Sequence, residues 1–106
     1  MFENLCLRDI AVYADCYNAS LHHYRDNSNL EVDAVVEMPD GAWGAFEIKL
    51  GEHHVETAAR TLQMFHNKIV ENGAEPPAFL CVITGGGFGR RRDDGIYVIP
   101  INAFRP

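Results

Sequence analysis

Three side chains on two neighbouring stretches could do chemistry together: Asp33, Glu47 and Lys49. On a strand, alternate positions share a face, which sets Glu47 and Lys49 on one side, about 7 Å apart along the strand. If Asp33 comes from the adjoining strand, two carboxylates and an ammonium converge. Opposed carboxylates repel. A cation, a raised pKa or solvent must compensate. A hard divalent ion held by the two carboxylates would acidify a bound water and polarise a phosphate. A nearby ammonium would stabilise the negative charge that develops. As an isolated tripeptide, E-x-K is a weak signal. The competing reading is a solvated hairpin face on which Glu31, Asp33, Glu37, Glu47 and Lys49 are surface charges.

The stretch that must position them is Leu30 to Leu50, LEVDAVVEMPDGAWGAFEIKL. Its period-two pattern predicts two strands. Leu30, Val32, Ala34, Val36 and Met38 fall on one face of the first, and Ala42, Gly44, Phe46, Ile48 and Leu50 on the matching face of the second. A one-residue slip would flip every side chain, so the apolar faces match only when paired numbers have an even sum. A three-residue loop, Pro39-Asp40-Gly41 with Gly41 left-handed, gives such a register. It sets Asp33 opposite Glu47, and Glu31 opposite Lys49.

Around this hairpin, Phe2 to about Asn18 reads as a helix with Phe2, Leu5, Cys6, Ile10, Tyr13 and Tyr17 on its apolar stripe. Glu3 lies on the flank of that stripe and points toward the sheet. It either complements the helix dipole or reaches a site at the sheet edge, and the helix alone favours the dipole. Ser20 to Arg25 is a short strand whose His22 and His23 face opposite sides, so they read as structural. His54 to about Asn72 is a second helix buried through Val55, Ala58, Ala59, Leu62, Phe65 and Ile69, stopped by Gly73 and Pro76-Pro77. His53 and His54 read as solvated. Ala78 to Thr84 is a continuous apolar run, as expected of a strand buried on both faces and reached by a crossover helix. The Gly85–Gly89 run is a flexible loop and not a phosphate-binding P-loop, because no Lys-Ser or Lys-Thr follows it. Ile96 to Ile101 is a last strand, with Pro100 marking an edge or an end. The order is α-β-β-β-α-β-β: a mixed sheet with helices on both sides, in one α/β domain.

The 106 residues suffice for one core, and 47% hydrophobic content is that of an ordinary globular chain. No apolar run would span a bilayer. Cys6, Cys16 and Cys81 lack the number and spacing of a disulfide framework or a zinc site, which points to a reduced cytoplasm. A net charge of −6 argues against a surface that coats nucleic acid. The one basic run, Arg90-Arg91-Arg92, is followed at once by Asp93-Asp94 and reads as a solvated loop. The immediate helical periodicity at Phe2 and Glu3 reads as a domain cut from a longer protein.

A helix-borne Glu3, a strand-borne Asp33, and then Glu47-Ile48-Lys49 ahead of a crossover helix resemble the PD-(D/E)XK nuclease superfamily. More narrowly, FENL, HYRDNSNLEVDAVVE, GAFEIKLG, FLCVITGGG and GIYVIPI resemble the uncharacterised C-terminal domain of bacterial and archaeal AAA-type ATPases, over nearly the whole chain. The resemblance implies a restriction-endonuclease-like three-layer α/β sandwich. It implies metal-binding roles for Asp33 and Glu47, a water-orienting and charge-stabilising role for Lys49, and a supporting role for Glu3. Gln63 occupies a place where the superfamily often carries a further polar residue. Val32 stands where many members have proline. The implied activity is phosphodiester hydrolysis of DNA with Mg²⁺, or Mn²⁺ in its stead; oxygen ligands favour either over zinc. The implied partner is an ATPase module upstream, whose P-loop is absent from these residues. The alternative is a catalytically inactive module of the same fold that recognises nucleic acid or protein and regulates the ATPase.

Overall fold

In the computed structural model, residues 2–101 are described in backbone and residues 6–101 in side chains. Helix α1 (Phe2–Cys16) leads into β1 (Ser20–Arg25), β2 (Glu31–Glu37) and β3 (Trp43–Ile48). A 3-10 turn, Glu52–His54, opens α2 (Val55–Glu71), and β4 (Phe79–Thr84), β5 (Arg90–Arg91) and β6 (Tyr97–Pro100) follow. The six strands form one mixed sheet in the order β1-β2-β3-β4-β6-β5. β1, β2 and β3 are antiparallel neighbours, β3, β4 and β6 run parallel, and β5 closes the far edge antiparallel to β6. The α/β class and the mixed sheet agree with expectation. The expected order is corrected by β5, formed by the first two residues of an arginine run read as loop.

Alternation in the central strands sends neighbours to opposite faces. Ala45 and Val82 join Val55, Ala58, Ala59, Leu62 and Phe65 of α2. Phe46, Ile48, Cys81 and Ile83 join Cys6 and Ile10 of α1. β4 is therefore buried on both faces, as its unbroken apolar run requires. The stripe of α2 is as expected. That of α1 is narrower: Cys6, Ile10 and Ala14 are buried, while Tyr13 and Tyr17 are 40% and 62% exposed. Phe2, Leu5 and Glu3 have side chains outside the described residues.

The β2–β3 turn matches expectation. Met38 N–H donates to Ala42 O at 2.7 Å, Gly41 N–H donates to Met38 O at 2.9 Å, and Gly41 sits at φ +92°. The ladder then runs through Glu37–Trp43, Val36–Gly44, Val35–Ala45 and Ala34–Phe46, the even-sum register. Gly44 lies under the Phe79 ring, whose atoms would be 2.2 Å from an added Cβ.

The face assignment of β2 needs correcting. Leu30 and Val32 pack in the α2 core, whereas Ala34 and Val36 pack in the α1 core. β1 explains this: His22 pairs with Val35 but Tyr24 pairs with Val32, so one residue, His23, opposes two, Asp33 and Ala34. This β-bulge inserts one residue and shifts the phase of the strand.

Candidate functional site

The bulge sits at Asp33, where the β2–β3 ladder ends. Past Ala34–Phe46 the register would bring Asp33 against Glu47. There the side chains replace the ladder. Glu47 Oε2 accepts the Asp33 N–H at 2.9 Å, and Asp33 Oδ2 accepts the Ile48 N–H at 2.8 Å. Each carboxylate thus ties down the backbone of the other strand. Lys49 lies one residue past the end of β3, its own N–H donating to Ile83 O at 2.9 Å, which ties the chain to β4 at this end.

Burial makes the pair unusual. Glu47 is only 5% exposed, Asp33 and Lys49 are half-buried. Desolvation pushes the Glu47 carboxyl up to about 8, the neighbouring Asp33 charge adds to the rise, and the Lys49 ammonium opposes it. With one oxygen of each engaged by backbone, the donor set facing a cation is made of carboxylate oxygens, which suits a hard ion such as Mg²⁺. The solvated-hairpin reading does not hold for Glu47. Among the described residues no group of three His, Cys, Asp or Glu side chains could hold a metal together.

Of the four residues singled out in sequence, the structure brings Asp33 and Glu47 into contact and sets Lys49 two positions after Glu47, one residue past the end of β3. Glu3 lies in the first turn of α1, and its side chain is outside the described residues. Glu31 lies past the end of the β2–β3 ladder at Ala34–Phe46, so the expected pairing with Lys49 does not form; Glu31 pairs with Arg25 of β1, and its carboxylate meets His23 Nε2 at 2.9 Å. Gln63 is engaged elsewhere, donating from Nε2 to Asp94 Oδ2 at 2.7 Å. The backbone N–H groups of Asp33 and Ile48 carry the site and have no sequence signal.

A rim surrounds this end of the parallel strands. Gly85 N–H donates to Leu50 O at 3.2 Å, and Thr84 Oγ1 donates to Gly86 O at 2.9 Å. Arg90 holds Glu52 through two bonds of 3.0 and 2.9 Å. Arg92 holds Glu56 at 2.7 Å and Asp94 at 3.2 Å. Two of the three arginines in the run are thus held in ion pairs, and Arg91 lies over the Tyr97 ring.

A family model matches residues 1–104. The chain belongs to the family described as a domain of unknown function, DUF4143. No curated protein matches this DUF4143 chain, and no solved structure does. No helix among the described residues is long and apolar enough to cross a membrane.

Proposed function

We propose that this DUF4143 domain is a metal-dependent phosphodiesterase module of the PD-(D/E)XK nuclease type. It has a restriction-endonuclease-like architecture, acts on DNA in the cytoplasm, and works beside an AAA-type ATPase module upstream. The observation that carries this reading is the Asp33–Glu47 fork: two carboxylates locked in place by backbone bonds, one of them buried, with Lys49 just past the end of β3. Repulsion and desolvation make such a pair costly unless a proton or a cation lies between the groups. Asp33 and Glu47 would hold Mg²⁺ or Mn²⁺, which supplies an acidified water and a polarised phosphate. Lys49 offers an ammonium to the charge that builds at phosphorus. Glu3 is assigned a supporting role by resemblance alone.

The test is calorimetric titration of Mg²⁺ and Mn²⁺, followed by cleavage assays on DNA. Asp33→Asn is the informative control. Alanine would strip the acceptor from the Ile48 N–H and confuse folding with binding, whereas asparagine keeps an oxygen there. Binding by the native chain that Asp33→Asn abolishes, with cleavage lost in parallel, is the expected result. Absence of metal binding in the native chain would sink the hydrolytic reading.

A second reading has its own support. With two side-chain ligands among the described residues and a Glu47 that favours its proton, the site also suits a non-catalytic module that recognises nucleic acid or protein and regulates the ATPase. Metal-independent binding of DNA, with no cleavage, would favour it.

A further inference from the structure

We propose that Phe88 is a base-stacking platform, and that the site takes single-stranded nucleic acid in preference to duplex. This deepens the phosphodiesterase reading and rests on it for the location of the scissile phosphate. Phe88 is 88% exposed, the highest value among the large apolar residues described. An isolated exposed apolar side chain is ordinary, but this one has a built setting. It lies between Gly87 and Gly89, with its ring open to solvent. The loop is held at its base by the Gly85–Leu50 and Thr84–Gly86 bonds, and just beyond Gly89 by the two-bond Arg90–Glu52 pair. The first of these fixes it to the residue that follows Lys49, at the same end of the parallel strands as the carboxylate pair. Leu50, 67% exposed, touches the loop where a Cβ on Gly85 would meet its Cδ1 at 2.6 Å. The base of the Phe88 loop is therefore tied to Leu50, one residue past Lys49, at the end of the sheet that carries the carboxylate pair. On the short β5–β6 pair, Arg91 sits over the exposed Tyr97 ring at 5.5 Å from its centroid, a second flat surface.

Charge selects single strands. Duplex binding leans on many phosphate contacts by Lys and Arg. Here Arg90 and Arg92 are already paired with carboxylates, and the chain carries −6 overall. Stacking of unpaired bases on aromatic rings needs no such array and tolerates any sequence.

The test is fluorescence anisotropy of the 106-residue chain with a labelled short single-stranded oligodeoxynucleotide and with the same sequence as a duplex, in Mg²⁺ at low salt. The recovered oligonucleotide is then run on a gel. The native chain is expected to bind the single strand tighter than the duplex. Phe88→Ala should weaken single-strand binding roughly ten-fold or more, the usual worth of one stacked base, and Phe88→Tyr should restore it. Equal binding by Phe88→Ala, a preference for duplex, or no single-strand binding at all would each overturn the proposal. The gel reports hydrolysis separately. Phe88-dependent binding without cleavage leaves the stacking platform standing and the hydrolytic reading fallen; cleavage indifferent to Phe88 does the reverse.

Discussion

Glu47 is where chemistry and stability meet. Its carboxyl ionises near the ordinary value when unfolded and at about 8 when folded. Between those limits the native state binds more protons than the unfolded one, so stability falls as pH rises. The metal-free protein should therefore lose stability, by a few kcal/mol at most, from about pH 5 to pH 8. Urea midpoints across that range would show it, and saturating Mg²⁺ should flatten the slope because the cation replaces the proton. Glu47→Gln should flatten it too, with metal binding gone. A slope of the opposite sign would mean that Glu47 is charged without metal. Lys49 makes a contrasting case. Its side chain is asked to act on developing charge, so Lys49→Met should reduce the cleavage rate roughly 10²- to 10³-fold while metal titrations stay near native. Loss of metal binding in that variant would reassign Lys49 to the ligand shell.

At the scale of elements, the bulge in β2 and the bare backbone of β3 position the site. Gly44 lets the Phe79 ring lie on the strand, and the same ring packs on Phe46 with centroids 5.2 Å apart. Gly44→Ala should cost roughly 1–3 kcal/mol through overpacking, read as a lower urea midpoint with an unchanged slope. The β1–β2 turn is organised by Asp26, which accepts from Tyr24 Oη at 3.0 Å, Ser28 N–H at 2.9 Å and Leu30 N–H at 3.2 Å, and forms an ion pair with Lys68 of α2. Lys68 first, then the Ser28 hydroxyl, holds the Asp26 carboxyl well below its usual range. A depressed carboxyl favours the fold above its unfolded pKa and loses that contribution in acid. Asp26→Asn should therefore lower the thermal midpoint at neutral pH and narrow the gap from native as the solution is acidified toward pH 3.

Across the whole molecule, the strands that carry the site are the deepest part of the sheet. Amide exchange should be slowest in Ala45–Ile48 and Cys81–Thr84 and fastest in β1 and the two-residue β5; rapid exchange at Phe46 or Val82 would contradict the described core. Much of this architecture was legible in the chain. Alternation and the Pro39-Asp40-Gly41 turn were enough for the β2–β3 register, and the apolar run at Ala78–Thr84 for a central strand. The bulge was not legible, because an extra strand residue changes spacing and not composition. Nor were the partners of the charges: Arg90 finds Glu52, Arg92 finds Glu56 and Gln63 finds Asp94, all more than thirty positions away. The burial of Glu47 was not legible either, since no local pattern in β3 announces it.

The fork between β2 and β3 also bears on how relatives should be compared. Oxygen atoms at positions 33 and 47 hold two strands together whether or not anything is hydrolysed. Selection for folding alone would keep an acceptor at both places, and a lineage abandoning catalysis could drift to Asn or Gln there at little cost. Acidic residues at these positions are thus weak historical witnesses. Lys49, whose ammonium no strand-pairing bond requires, is the stronger one: its loss in a lineage would mark retirement of the chemistry before the fold records it.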